Sequence, residues 1–108
     1  MRSPAPDVIP LFTVNVSNAI AATDTFQTVQ LQNVARKGGI LQSAPGNVGV
    51  LYLFVGKLSA ATKAKSYVVQ VGGEVNFMVG QNGVITDDVH ITGTAGDTYH
   101  AAFQEAVT

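Results

Sequence analysis

The stretch ITDDVHITGTAGDTYHAAFQ, residues 85–104, decides the fold of this chain. Val89 and Ile91 alternate with polar neighbours before the central glycines, and Tyr99 and Phe103 do so after them. A period of two is typical of half-buried strands, and glycines between two such runs favour a tight bend. We therefore predict two strands that pair as a hairpin at the edge of an antiparallel domain.

The rest of the chain repeats this pattern. Short alternating runs recur at roughly 8–12-residue spacing, which is typical of sandwiches and small barrels. Gly72 and Gly73 predict a second hairpin, and residues 48–55 are apolar on both faces, which predicts a strand that is covered on both sides. Residues 58–65 allow a helical turn or a long loop. The remaining predicted strands are residues 11–17, 26–34, 40–43, 48–55, 66–71 and 74–79.

The fold class that follows is all-β. We predict a single-domain antiparallel β-sandwich or jelly-roll-like barrel of about eight short strands over residues 11–108. Residues 1–10 contain Pro4, Pro6 and Pro10, and proline cannot donate to a sheet. They predict an extended N-terminal arm rather than a tail without structure, because Ile9 gives it an apolar group to bury on a neighbouring subunit.

Charged residues are few and unevenly placed. They make up 12% of the chain, about half of the roughly 25% usual for soluble domains. Such a surface favours burial by partners, so we expect a homo-oligomer, a dimer or a trimer. Residues 26–65 contain five basic residues and no acid, whereas residues 66–108 contain five acids and no Lys or Arg. Either these two groups interleave within one domain, or they form complementary faces between copies. The predicted interface residues are Pro4, Pro6, Ile9 and Pro10 of the arm, the basic residues Arg36, Lys37, Lys57, Lys63 and Lys65, and the acidic residues Asp87 and Asp88.

The sequence contains no motif that indicates a catalytic or metal-binding site. His90 and His100 both fall on the outward phase of their predicted strands, without an adjacent nucleophile motif. The spacing of the nearby aspartates matches neither an EF-hand nor a zinc site. There is no cysteine, no phosphate-binding glycine motif and no long apolar segment, and the net charge is −1. We predict a soluble, non-exported chain that is not an enzyme, with no cofactor, no nucleic-acid partner and no membrane association.

Three segments carry a resemblance to a known class of proteins. TVQLQNV (residues 28–34), GGILQSAPGNVGVLYLFVG (38–56) and VHITGTAGDTYHAAFQ (89–104) resemble the small head decoration, or cement, proteins of tailed bacteriophages. The resemblance implies a β-sandwich or jelly-roll module that docks on the outside of a capsid lattice as dimers or trimers. It implies no catalytic residues.

The expected function is therefore that of a non-enzymatic virion protein. Its partners would be the major capsid protein and copies of itself, on the capsid surface of a virion made in the host bacterial cytoplasm. One alternative is a phage tail, fibre or baseplate module. Another is a carbohydrate-binding β-sandwich, although the chain has no Trp and only three Tyr for a sugar platform.

Overall fold

A computed structural model describes residues 11–33, 36–76 and 86–106 of the chain. These residues form eight strands in two four-stranded antiparallel sheets, which confirms the predicted all-β sandwich. Sheet 1 has the order β1-β8-β3-β6 and sheet 2 the order β2-β7-β4-β5, which is the arrangement of a jelly roll. The strands are β1 (Leu11–Ala19), β2 (Gln27–Gln30), β3 (Arg36–Ser43), β4 (Leu51–Val55), β5 (Tyr67–Val69), β6 (Glu74–Asn76), β7 (Val89–Thr92) and β8 (Thr98–Ala106).

The predicted closing hairpin is wrong. β7 lies between β2 and β4 in sheet 2, whereas β8 lies between β1 and β3 in sheet 1. The glycine-rich link between them crosses from one sheet to the other and bonds to the chain after β1: Gly96 N donates to Ile20 O at 2.9 Å, and Ile20 N donates to Asp97 O at 2.7 Å. Both strands are central in their sheets, so this segment is not an edge of the sandwich.

The predicted pairing around Gly72 and Gly73 is wrong for the same reason. β5 belongs to sheet 2 and β6 to sheet 1, so this turn also passes between the sheets. Alternating polarity shows only that one face of a strand is buried. The pattern is the same for two strands of a hairpin and for two strands whose link passes between packed sheets. The strand positions were therefore predictable, but their partners were not.

The core lies between the two sheets. Leu41, Leu53 and Phe103 are completely buried there. β3 passes so close to β8 that a Cβ added at Gly39 would lie 2.9 Å from Phe103 Cδ1 and 3.0 Å from Ala102 O. A glycine at this position thus lets the two central strands of sheet 1 pack around the largest apolar side chain of the core.

A β-bulge near the start of β3 turns one basic side chain inward. Arg36 is opposite Glu105 and Gly38 is opposite Gln104, so Lys37 is the extra residue. A bulge of one residue changes which face of the sheet the preceding side chain takes. Arg36 therefore faces the interior and is 2% exposed, while Lys37 is exposed.

Residues 56–66, here called the strap, cover part of the outer face of sheet 2. The strap contains two short 3₁₀ turns, Leu58–Ala60 and Lys63–Lys65, so of the two alternatives left open by the sequence it contains helical turns. Lys63 Nζ lies 4.9 Å from the centre of the Tyr52 ring and forms an ion pair with Asp24. β4 lies between two strands and beneath the strap, which confirms the predicted cover on both faces for Leu51–Val55; Val48, which the predicted run also included, lies outside the strand and is 84% exposed.

Candidate interaction surface

The outer face of sheet 1 carries mostly uncharged side chains. Cross-strand register places Ser17, His100, Gln42 and Glu74 in one row across all four strands, and these side chains are exposed. We name a set of residues on this surface the neutral face, because Glu74 is the only carboxylate in the set and none of its members is Lys or Arg; Lys37, which is also exposed on β3, lies at the bulge and is not part of the set. The members of the set are Thr13, Asn15, Ser17, Gly38, Ile40, Gln42, Glu74, Asn76, His100, Ala102 and Gln104.

One end of the neutral face forms an open groove of about 610 Å³. Its walls include Ser17, Gln42, Pro45 and His100. Ser17 Oγ makes a hydrogen bond with His100 Nδ1. The hydroxyl, amide and imidazole can each donate or accept a hydrogen bond, so the groove suits an uncharged polar partner surface. The outward position predicted for His100 is confirmed.

β1 leaves a long sheet edge open. It has nine residues and pairs with β8 in continuous register from Leu11 opposite Ala106 to Ala19 opposite Thr98. Within the described parts of the chain, no strand pairs with its other edge. About half of its backbone N–H and C=O groups therefore point away from β8, as in any antiparallel edge strand. Val14 and Val16, on the inner face, are only half-buried.

Arg36 belongs to the interior rather than to an exposed basic group. Its Nε lies 3.4 Å from Glu105 Oε2, and its guanidinium carbon lies 4.7 Å from the centre of the Phe103 ring. The two terminal nitrogens donate to Asp87 O at 3.0 Å and to Leu31 O at 2.8 Å. These contacts occupy the guanidinium within the fold, so it is not available to an outside partner as the sequence-based hypothesis expected.

The predicted lysines are divided between the two sheets. Lys37 is exposed on β3 of sheet 1, while Lys57, Lys63 and Lys65 lie on the strap over sheet 2. The hydrogen bond to Asp24 is the main cause that raises the pKa of Lys63. Lys37, Lys57 and Lys65 are exposed and form no ion pair within the described part of the chain, so three of the five predicted basic residues present exposed charges, but they do not form one cluster.

The predicted acidic pair stabilises a turn next to this interior site. Asp88 Oδ1 accepts a hydrogen bond from Gln32 N, and Asp88 O accepts one from Gly56 N at 2.9 Å. The side chain of Asp87 is exposed. The arm residues Pro4, Pro6, Ile9 and Pro10 lie outside the described residues. Their predicted interface role, like that of Asp87 and Asp88, stays a prediction.

His90 has the outward strand phase that the sequence predicted, opposite Thr28 and Phe54 on the outer face of sheet 2, but its side chain is 2% exposed and therefore not solvated as expected. His90 Nε2 donates to Gly56 O at 3.0 Å, so Nδ1 accepts the hydrogen bond from Thr28 Oγ1 at 3.1 Å. Gly56 begins the strap, and the strap covers the outer face of β7 at this point. A strand phase cannot show that a loop distant in sequence covers the polar side of a strand.

Asp97 is a buried carboxylate whose structural role the sequence did not indicate. It is 4% exposed, and its two oxygens accept hydrogen bonds from Val48 N at 2.9 Å and Gly49 N at 3.0 Å. Asn47 completes this site by accepting from Thr98 N and donating to Thr98 O, both at 2.8 Å. No local pattern signals these contacts, because the partners lie almost fifty residues apart in sequence.

The described residues contain neither a metal-binding cluster nor a membrane-spanning helix. Among residues 11–33, 36–76 and 86–106, no group of three or more His, Cys, Asp or Glu side chains is placed to hold a metal ion. No helix in the described part of the chain is long and apolar enough to cross a membrane.

Comparisons with known proteins support the fold. No protein-family model matches the chain, and neither does any curated protein. One similar solved structure comes from work on Bacillus endospore appendages, which form a family of disulfide-linked pili. It aligns over 100% of this chain and 98% of its own, with a TM-score of 0.54 and 19% sequence identity. At this identity the likeness shows a shared β-sandwich architecture.

Proposed function

We propose that this chain is a non-enzymatic structural protein that binds copies of itself in a repeating assembly. More specifically, we propose that it decorates the outer surface of a tailed-phage capsid, where its second partner is the major capsid protein. The observation that carries this proposal is the neutral face, which extends across all four strands of sheet 1 with a single carboxylate.

Desolvation explains why such a face suits a protein partner. Burying an ionised side chain costs several kcal/mol unless it is paired, whereas a hydroxyl or amide needs only a replacement hydrogen bond. The centres of protein interfaces are accordingly depleted in charged residues. With 12% charged residues, the chain has few charges to keep such a surface in water. In a lattice, many copies that each bind weakly are then held by avidity.

Binding to capsids tests the specific form of the proposal. The chain is mixed with decoration-free capsids of the phage that encodes it and sedimented, and the bound copies per capsid are counted. Saturable binding at a fixed number of copies per capsomer supports decoration. Failure to bind while the chain still self-associates would exclude decoration and leave the structural role.

The arm has its own test. We expect deletion of residues 1–10 to lower capsid occupancy or oligomer size, because the arm offers prolines and Ile9 for contact with a neighbour. A matched control replaces the same ten residues with a Gly-Ser segment of equal length. Unchanged occupancy and unchanged oligomer size in both variants would refute a role for the arm.

Assembly into a fibre is the second candidate, and the similarity to a pilus-forming protein favours it. The sequence has no cysteine, so the disulfide links described for those appendages cannot form between these residues. Electron microscopy of the concentrated protein distinguishes the candidates: filaments that lengthen with concentration indicate a fibre subunit, and closed particles of uniform size indicate a decoration protein.

A further inference from the structure

We infer that the free edge of β1 binds β1 of a second copy, antiparallel, about a two-fold axis near Asn15. This inference rests on the proposed function, because it names the surface through which self-association occurs. The paired copies would share one continuous eight-stranded sheet, in which the two neutral faces join across the axis.

β1 lacks the features that protect sheet edges. Natural edge strands avoid pairing by being short, by carrying lysine or proline, or by containing a bulge. β1 has nine residues, LFTVNVSNA, with no charge and no proline, and its register with β8 is continuous. The other edge strands are protected, since β5 and β6 have three residues each and β2 has four with a register shift.

The strand is also complementary to itself. Asn15 is the middle residue of β1, so full antiparallel overlap places it on the axis and sets Val14 opposite Val16 of the second copy. Side chains of directly opposite residues lie on the same face of the sheet. The half-buried Val14 and Val16 would then cover one another on the inner side, where sheet 2 leaves them partly exposed.

Charge favours the same occupant. In a strand that pairs with its own copy about a two-fold axis, a charged residue near the axis meets a like charge, which is destabilising. β1 has none, and Thr13 would face Ser17 of the second copy on the outer side. An acidic or basic peptide would find no complementary charge along this edge, whereas a second β1 needs none.

Cysteine cross-linking tests the geometry, because the native sequence has no cysteine to interfere. Asn15→Cys should form a disulfide-linked dimer under mild oxidation, since opposite residues in antiparallel strands have Cα atoms about 4.5–5.5 Å apart, within disulfide range. Glu74→Cys is the control, because it is also exposed on an edge strand of sheet 1 but on the opposite side. We expect linkage in the first variant only.

A charge variant gives an independent readout. Asn15→Lys would place two ammonium groups across the axis, and we expect roughly tenfold weaker self-association, or about 1.4 kcal/mol. Ser59→Lys, which adds the same charge on the exposed strap, should leave self-association unchanged. Circular dichroism verifies that each variant is folded.

The outcomes separate the inference from the proposed function. If the native chain self-associates but Asn15→Cys gives no more dimer than Glu74→Cys, or Asn15→Lys associates normally, then the β1 surface is wrong and the structural function stands. If the native chain stays monomeric at every concentration, the self-association on which the inference rests is wrong as well.

Discussion

At the scale of single residues, Asp97 shows how one buried side chain fixes a loop. Its carboxylate accepts the backbone N–H groups of Val48 and Gly49, which would otherwise lack a partner where the chain enters β4. Asn47 extends the same network to the start of β8. These side chains therefore hold the loop together with the turn in which Asn47 N donates to Ala44 O at 3.1 Å.

Removing this carboxylate should destabilise the protein. We expect Asp97→Ala to lower the free energy of unfolding by about 1.5–3 kcal/mol, the usual contribution of hydrogen bonds to a charged group. Asp87→Ala is the matched control, because that side chain is exposed and should change stability by less than about 0.5 kcal/mol. Urea unfolding measures both, and equal effects would contradict the assigned role of Asp97.

Breaking the ion pair between Arg36 and Glu105 should destabilise the protein even more. Arg36→Met leaves a buried carboxylate without its cation, and we expect a loss of about 3–5 kcal/mol. Lys37→Met, at the neighbouring exposed position, should have almost no effect. The double variant Arg36→Met/Glu105→Leu should recover much of the loss, since it removes the unpaired charge; no recovery would show that the pair is not the main contribution.

The raised pKa of Tyr99 predicts that the protein loses stability at alkaline pH. Burial raises its pKa above 10.0, and the hydrogen bond with Gln27 opposes this shift. Because the folded state holds the proton more tightly, this contribution is complete below the unfolded pKa and is lost as pH rises through the folded value. Lys63, whose pKa is also raised, loses stabilisation in the same direction.

The variant Tyr99→Phe isolates the tyrosine contribution. Urea unfolding measures the free energy of unfolding of both proteins between pH 8 and pH 12, roughly two units either side of the tyrosine pKa. The two free energies should differ most below pH 10. Tyr99→Phe should show the shallower decline above it. A decline of equal slope in both proteins would contradict the assignment.

Residue positions differ in how far sequence alone can place them. The outward side chain of His100 follows directly from the alternation in β8. Arg36 does not follow, because a one-residue bulge reverses its face and a bulge depends on the partner strand. The burial of His90 does not follow either, because the strap that covers this outward side chain begins 34 residues earlier in sequence.

At the scale of elements, the strap explains why β4 is apolar on both faces. The core covers one face and the strap lies over the other, with Lys63 stacked on Tyr52 and paired with Asp24. Phe54, on the same strand, packs against Phe26 with ring centres 6.3 Å apart. The apolar run at residues 48–55 predicted this cover, although nothing in it showed that the cover comes from the adjacent segment.

Releasing the strap should change local opening more than global stability. We expect Lys63→Gln to increase hydrogen exchange at strap amides severalfold, while the melting temperature changes little, because exposed ion pairs contribute little to stability. Lys65→Gln is the control on the same turn, and its exchange should match the native protein. If both variants exchange alike, the contacts of Lys63 do not hold the strap.

The positions of the strands could be predicted from the sequence, but their pairing partners could not. Most predicted strands overlap an observed one, because alternation and turn residues are local signals. The two predicted hairpins failed, because Gly72 and Gly96 make turns that pass between sheets. Which sheet a strand joins depends on the packing of all eight strands together, and no single segment contains that information.

At the scale of the whole molecule, the uncharged surface and the proposed contact edge lie on the same sheet. The neutral face and the free edge of β1 adjoin each other on sheet 1, so pairing through β1 would continue the face from one copy to the next. A two-fold pair closes on itself, whereas a head-to-tail contact would extend into a fibre.

The mass of the native protein in solution tests the central claim of self-association most directly. Sedimentation equilibrium over a wide concentration range should give twice the mass of the chain, or a larger even multiple, with dissociation only on dilution. A single species with the mass of one chain at every concentration would contradict the account.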